Sequence, residues 1–261
     1  MYTKNNLING IINLGIRQTD TLLVHSSMKV VGQVEHGADT VLDAFMEYMR
    51  DGLLIFPTHT WAQINDEYNV FNPETEPSCV GILTNMFMKR PGVVRSWHPT
   101  HSVAAYGRDA AEYVSGEELW DTPCSRGGCW GKLYDKGAKI LFLGCSLRSN
   151  TFLHGVEEWN NIPNRLADTY QALKIITPEG EEIECPQRRH YSSTGDVSKN
   201  YGKMLEPFHY TGIARRGFIG DAESVLCDVV GMAALTTSFL RLNQDLFADN
   251  EPVPVEWYRK Q

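Results

Sequence analysis

The stretch "SNTFLHGVEE", residues 149–158, sets one imidazole, His154, three positions before Glu157 and four before Glu158. An imidazole beside a carboxylate is the chemistry of a general base. The ionised carboxylate orients the ring and raises its basicity, and a histidine titrating near 6.5 suits proton transfer at neutral pH. That chemistry needs both side chains on one face, and positions three apart on a helix share one. Asn150–Thr151 read as a helix cap, with the helix beginning near Phe152. The apolar run "AKILFLG" (138–144) just before it reads as a buried strand. The same spacing also fits a plain surface His–Glu pair worth about a few tenths of a kcal/mol, and spacing alone leaves both readings open.

Other chemically capable residues gather beside apolar runs. "TLLVH" (21–25) is followed by Ser26 and Ser27, and "LLIFP" (53–57) by "THTW". "SVAAYG" (102–107) is preceded by "VVRSWHPTH". Ligands of open α/β sheets bind beyond the carboxyl ends of strands. Convergence of these ends would bring Ser26, Ser27, Thr58, His59, Ser96, His98, Ser102 and His154 to one cleft. Ser26–Ser27 serve equally well as a cap for the next segment. His98 and His101 have the spacing of a metal pair, but no third ligand is placed and Pro99 opposes a helix there. His98 is expected to hold a loop by hydrogen bonding, and no metal is expected. His25, His36, His190 and His209 read as ordinary.

The elements that must position these residues follow from hydrophobic periodicity. Helices are predicted around Leu7–Leu14, Val41–Met49, Ile82–Phe87 and over 232–242. Gly52 stops the second, and Pro57 ends the strand 53–57. Residues 58–78 read as a long loop, and loops of that length in a compact domain are usually functional. "YQALKIITPEGEEIEC" (170–185) predicts a hairpin turning at Pro178–Gly180, whereas 214–229 fits strand or helix. Strands alternating with helices through the first 160 or so residues predict an α/β core, and the hairpins predict a mixed sheet. No linker or repeat divides residues 1–261, so one domain is expected.

Composition narrows the partners. The 261 residues are 42% hydrophobic and 21% charged, as in a folded globular protein. No apolar run reaches about 18 residues, and the N-terminus has no signal-peptide pattern. With 32 acidic against 24 basic residues the formal charge is −8, which disfavours nucleic acid and favours a cationic small molecule. Six scattered cysteines without a C-x-x-C pair predict reduced thiols and a cytoplasmic protein. No dinucleotide-binding G-x-G-x-x-G, no P-loop and no G-x-S-x-G elbow is present.

Taken together, "LLVHSSMKVVG", "VVRSWHPTHSVAAYG", "KILFLGCSLRSNTFLHGVEE" and the late "GFIGDAE" resemble the aminoglycoside 3-N-acetyltransferase family. The resemblance runs in order over most of the chain. It implies a layered α/β/α fold around mixed sheets and an acetyl-CoA-dependent acyltransferase, distinct in fold from the common GNAT acetyltransferases. The implied acceptor is the 3-amino group of the 2-deoxystreptamine ring of an aminoglycoside, and the implied consequence is antibiotic resistance. By the same resemblance His154 is the general base and Glu157 its carboxylate. Val24, His25, Ser26, Ser27 and Met28 lie along the pantetheine arm, and Arg95, Ser96 and Ser102 lie near the cofactor. Asp66, Glu67 and Glu158 are the candidates for ammonium contacts. Backbone N–H groups at the Ser26–Ser27 turn are candidate oxyanion donors. Three alternatives stay open: another amine acceptor, a CoA-binding protein without aminoglycoside activity, and ping-pong transfer through a cysteine such as Cys145. A homodimer is compatible with the sequence but not specified by it.

Overall fold

The run "LLIFP" is buried at every position and "TLLVHS" at its four central ones, the mark of strands covered on both faces. The computed structural model describes residues 1–259. The chain opens with α1 (Lys4–Asn13), β1 (Thr21–Ser26), α2 (Ala38–Tyr48) and β2 (Leu53–Pro57). Within the long loop that follows lies a two-residue strand, β3 (Val70–Phe71). Then come α3 (Ile82–Phe87), β4 (Val94–Arg95), β5 (Val103–Gly107), α4 (Ala110–Val114), α5 (Cys129–Asp135), β6 (Lys139–Leu143) and α6 (Thr151–Trp159). The remainder holds the hairpin β7 (Lys174–Ile176) and β8 (Glu182–Glu184), a 3-10 helix (Val197–Met204) and α7 (Leu205–Tyr210). It ends with β9 (Ala214–Ile219), β10 (Ala222–Asp228) and α8 (Val229–Leu242).

Seven strands form the main sheet in the order β4-β5-β2-β1-β6-β10-β9. β1, β2 and β6 are parallel, and antiparallel strands extend both flanks. Successive side chains of β1 alternate between two cores. Leu22 and Val24 join Ile11, Phe45 and Phe87 from α1, α2 and α3 on one face. Leu23 joins Tyr113, Trp130, Phe152 and Phe239 from α4, α5, α6 and α8 on the other. The result is the α/β/α layering with mixed sheets that the sequence and the resemblance led us to expect.

β1 lies between its parallel neighbours β2 and β6. α2 covers one face on the way to β2, and α5 covers the other before β6. The carboxyl end of β1 is therefore a switch point, where an open crevice forms. A smaller sheet, β3-β7-β8, packs on Ile64, Phe71, Leu173 and Ile175. It carries the chain to residues 165–167 and 189–191, which bond to each other.

The ambiguous segment 214–229 is a hairpin. Gly220 takes φ 61° in a two-residue turn between Ile219 and Ala222, a left-handed geometry that glycine adopts readily. The stretch 58–78 is not purely loop, because β3 pairs there with β7.

Gly107 closes the β2–β5 ladder at φ 100°, and a Cβ on it would sit 2.4 Å from the Gly52 carbonyl oxygen. Gly137, at φ 54°, has nothing within 4 Å of its Cβ position. Gly107→Ala should destabilise by about 2–3 kcal/mol, against about 1 kcal/mol for Gly137→Ala, measured by urea unfolding. Equal costs would show that the Gly52 contact relaxes freely.

Candidate active site

α6 starts at Thr151, after Asn150 at the cap position. Asn150 does not cap through its side chain, which reaches Met232 Sδ at 3.6 Å instead. Phe152, Leu153 and Val156 anchor the helix in the core, and this leaves His154 facing a cavity of about 660 Å³. Glu157 is one turn on and has no solvent exposure.

The two side chains do not bond directly. His154 Nδ1 and Glu157 Oε2 are 3.9 Å apart, beyond hydrogen-bond range. Tyr201, from the 3-10 helix, stands between them, with its hydroxyl 2.7 Å from His154 Nδ1 and 2.6 Å from Glu157 Oε2. Arg165 Nε donates to the other carboxylate oxygen, Oε1. The guanidinium keeps Glu157 ionised, so the carboxylate takes the single Tyr201 proton. Tyr201 oxygen must then accept from His154 Nδ1–H. This fixes the tautomer and leaves Nε2 as the unprotonated nitrogen. Among the described residues nothing bonds Nε2.

Burial pushes the His154 pKa well below its ordinary 6.5; His190 and Arg165 push it the same way, and Asp196 opposes them. Burial pushes the Glu157 carboxyl above its ordinary range, and Arg165 and Tyr201 offset only part of that rise. At neutral pH the pair is a neutral imidazole relayed to a buried carboxylate.

A second ring supports the first. His190 stacks on His154, with centroids 4.3 Å apart and planes 21° apart. Glu158 holds His190 Nε2 at 2.8 Å and also accepts from the Cys124 N–H. Expected as an ammonium contact, Glu158 is instead committed inside the chain, and burial raises its pKa to about 8. Asp66 and Glu67 also lie off the cavity lining, and Asp66 bonds Gln171 Nε2 at 3.0 Å.

The cofactor candidates divide. Val24, His25 and Ser26 line the cavity at the end of β1, and Ser27 and Met28 lead into a 3-10 turn just beyond. The Ser27 N–H donates to the Leu143 carbonyl at 2.9 Å, so it is not a free oxyanion donor. Arg95, Ser96 and Ser102 sit behind the wall. Arg95 donates to the carbonyls of Thr58 and Glu76, and Ser102 Oγ bonds Thr58. Ser96 Oγ accepts from the Val103 N–H. They brace β4, β5 and the loop after β2 and do not line this cavity. His98 also holds its loop: Nδ1 accepts the N–H groups of Thr100 and His101, and Nε2 faces the Thr122 carbonyl. His59 and His101, by contrast, line the cavity.

A family model described as aminoglycoside 3-N-acetyltransferase matches residues 23–241. The chain belongs to the aminoglycoside 3-N-acetyltransferase family. Aminoglycoside N(3)-acetyltransferase III of Acinetobacter baumannii is 27% identical over 265 residues, covering 92% of each chain. The solved structure of AAC-IIIb binary with CoASH superposes at TM-score 0.82 with 23% identity, over 97% of this chain and 99% of that one. AAC-VIa bound to sisomicin superposes at 0.77 with 21% identity, over 92% and 98%. Membership makes this chain an acyltransferase of an antibiotic-resistance family. No helix among the described residues is long and apolar enough to cross a membrane.

Against that family background, three residues of this site were not found from the sequence. Arg165, His190 and Tyr201 follow Glu157 by 8, 33 and 44 residues, and no local periodicity links them to α6. Cys124, Glu158 and His190 bring a thiol, a carboxylate and an imidazole within 4.8 Å of one another, ligand types that suit zinc. Each is engaged within the chain, Cys124 Sγ donating to the Thr151 carbonyl at 3.7 Å.

Removing Arg165 would leave Glu157 buried and uncompensated. Arg165→Met should cost about 3–5 kcal/mol in urea unfolding, and adding Glu157→Leu should recover most of it. Additive losses in the double variant would show that the pair is not the coupling.

Proposed function

We propose that the chain transfers the acetyl group of acetyl-CoA directly to an amine, with His154 as general base. The supporting observation is the Arg165–Glu157–Tyr201–His154 relay, which presents an unprotonated Nε2 to the cavity. The amine nitrogen attacks the thioester carbonyl carbon and passes its proton to Nε2. The C–S bond then breaks and the CoA thiolate leaves, taking up a proton. A 3-amino group of an aminoglycoside is the acceptor that the family supports, and sisomicin is bound by the relative AAC-VIa.

The cysteine route is disfavoured. Burial pushes the Cys145 thiol up to about 12, so almost no thiolate exists at neutral pH, and Cys145 is absent from the cavity lining. We assign the reaction no metal, because proton transfer to His154 needs none. The six free cysteines fit our placement of the protein in the cytoplasm.

Thiol release from acetyl-CoA in the presence of an amine tests the base. His154→Ala should lower kcat by about 10²- to 10⁴-fold. Tyr201→Phe breaks the relay but keeps the imidazole, so its loss should be smaller. CoA at about 100 times its dissociation constant should add about 2.7 kcal/mol of stability to wild type and His154→Ala alike, with EDTA making no difference. Near-wild-type turnover in a folded His154→Ala would end the proposal.

The pH dependence carries a sign. His154 works only when neutral, and burial lowers its pKa, so the acid limb of kcat/KM should lie below pH 6.5. Glu157→Gln removes the charge that favours the imidazolium and should move that limb lower still. A limb that rises in pH with Glu157→Gln would refute the relay.

A further inference from the structure

The charge of the cavity is opposite to that of the chain. The sequence carries −8, yet the cavity is lined by Arg148, Arg165 and Arg189 against a single carboxylate, Asp196. Arg148 is paired with Asp196 at 3.3 Å, and Arg165 with the buried Glu157 behind the wall. The lining histidines are neutral, because burial holds His25, His59, His101, His154 and His190 below their ordinary range. Arg189 is left over. Among the described residues it forms no ion pair. Its Nη1 and Nη2 donate to the carbonyls of Ile64 and Trp61, which aim the guanidinium without neutralising it. Asp66 acts on it through space but bonds Gln171 and does not line the cavity.

We propose that Arg189 is a specificity-determining residue that selects amines carrying a phosphate or carboxylate. The inference rests on the amine acetyl-transfer reading above and names its acceptor class. Arg189 precedes His190, whose ring stacks on His154, so an anion at Arg189 lies in the same chamber as the base. A half-buried guanidinium with free N–H groups binds such oxygens in a planar fork. In a concave site of low dielectric, a guanidinium without an ion-pair partner also opposes a polycation. Asp66 and Glu67 lie outside the lining.

Matched pairs test the proposal: glucosamine and its 6-phosphate, ethanolamine and phosphoethanolamine, putrescine and 4-aminobutyrate. Calorimetry on the CoA-loaded protein should show the anionic member of at least one pair binding tenfold or more tighter. Arg189→Gln, which keeps a donor for the two carbonyls, should abolish that preference, and Arg189→Lys should restore part of it. CoA affinity and melting temperature should stay within two-fold and a few degrees of wild type. No preference in any pair, or one unchanged by Arg189→Gln, overturns the proposal. A large loss of CoA affinity in Arg189→Gln also overturns it, because the anion would then be a CoA phosphate. An anion preference lost in Arg189→Gln, with no acetyl transfer to any amine, supports the proposal and rejects the acetyl-transfer reading.

Discussion

The site depends on one buried charge. Glu157 is a carboxylate without solvent exposure, in the last turn of a helix packed into the core. Such a charge is tolerated only when opposite charge and hydrogen bonds replace water. Arg165 supplies the charge from the turn after α6, and Tyr201 supplies a proton from the 3-10 helix. Satisfying the carboxylate therefore draws both segments onto α6. The same Tyr201 hydroxyl, having spent its proton on Glu157, can only accept from His154. The demand of a core carboxylate thus sets the protonation pattern of a residue that faces the cavity.

The second consequence is electrostatic. Five histidines line one chamber, and each is desolvated. Packed together, their charged forms would repel, so the cluster stays neutral near pH 7 and contributes donors, acceptors and flat rings. His98 shows the division of labour. Its Nδ1 accepts from the loop that presents His101 and its Nε2 faces the Thr122 carbonyl, so it builds the wall and does no chemistry. With the imidazoles neutral and two arginines matched to carboxylates, a single guanidinium sets the sign of the cavity. The net charge of the chain did not foretell it, because the excess carboxylates lie on the outer surface.

What the sequence revealed of this arrangement was what is local or periodic. The buried strands β1, β2 and β6 appear as apolar runs, and α6 with its i, i+3 pair appears as a spacing. Family motifs added the layered fold. The direct His154–Glu157 contact that the spacing suggested is replaced by a relay, because 3.9 Å leaves room for a hydroxyl. Tyr201 and His190 reach the site through tertiary packing alone, and "RRHYSS" looks in sequence like a surface basic cluster. Arg95, Ser96 and Ser102 sit within a conspicuous motif, yet their polar groups are consumed by Thr58, Glu76 and Val103. A motif marks where side chains are constrained. Only geometry separates a constraint of architecture from one of chemistry.

That distinction also locates where the site can vary. The relay is anchored in the core, and changing any member strands a buried polar group. The other walls come from the loop after β2 and the segment 188–192, held to each other by the Arg189 guanidinium, which donates to the Ile64 and Trp61 carbonyls. Bonds to backbone carbonyls do not depend on the side chains of the residues that supply them. Ile64 and Trp61 can change side chain without losing these bonds, while the base stays fixed on α6. A scaffold built this way keeps proton transfer on α6 and leaves recognition of the acceptor to other walls, where the half-buried Arg189 has no ion-pair partner among the described residues.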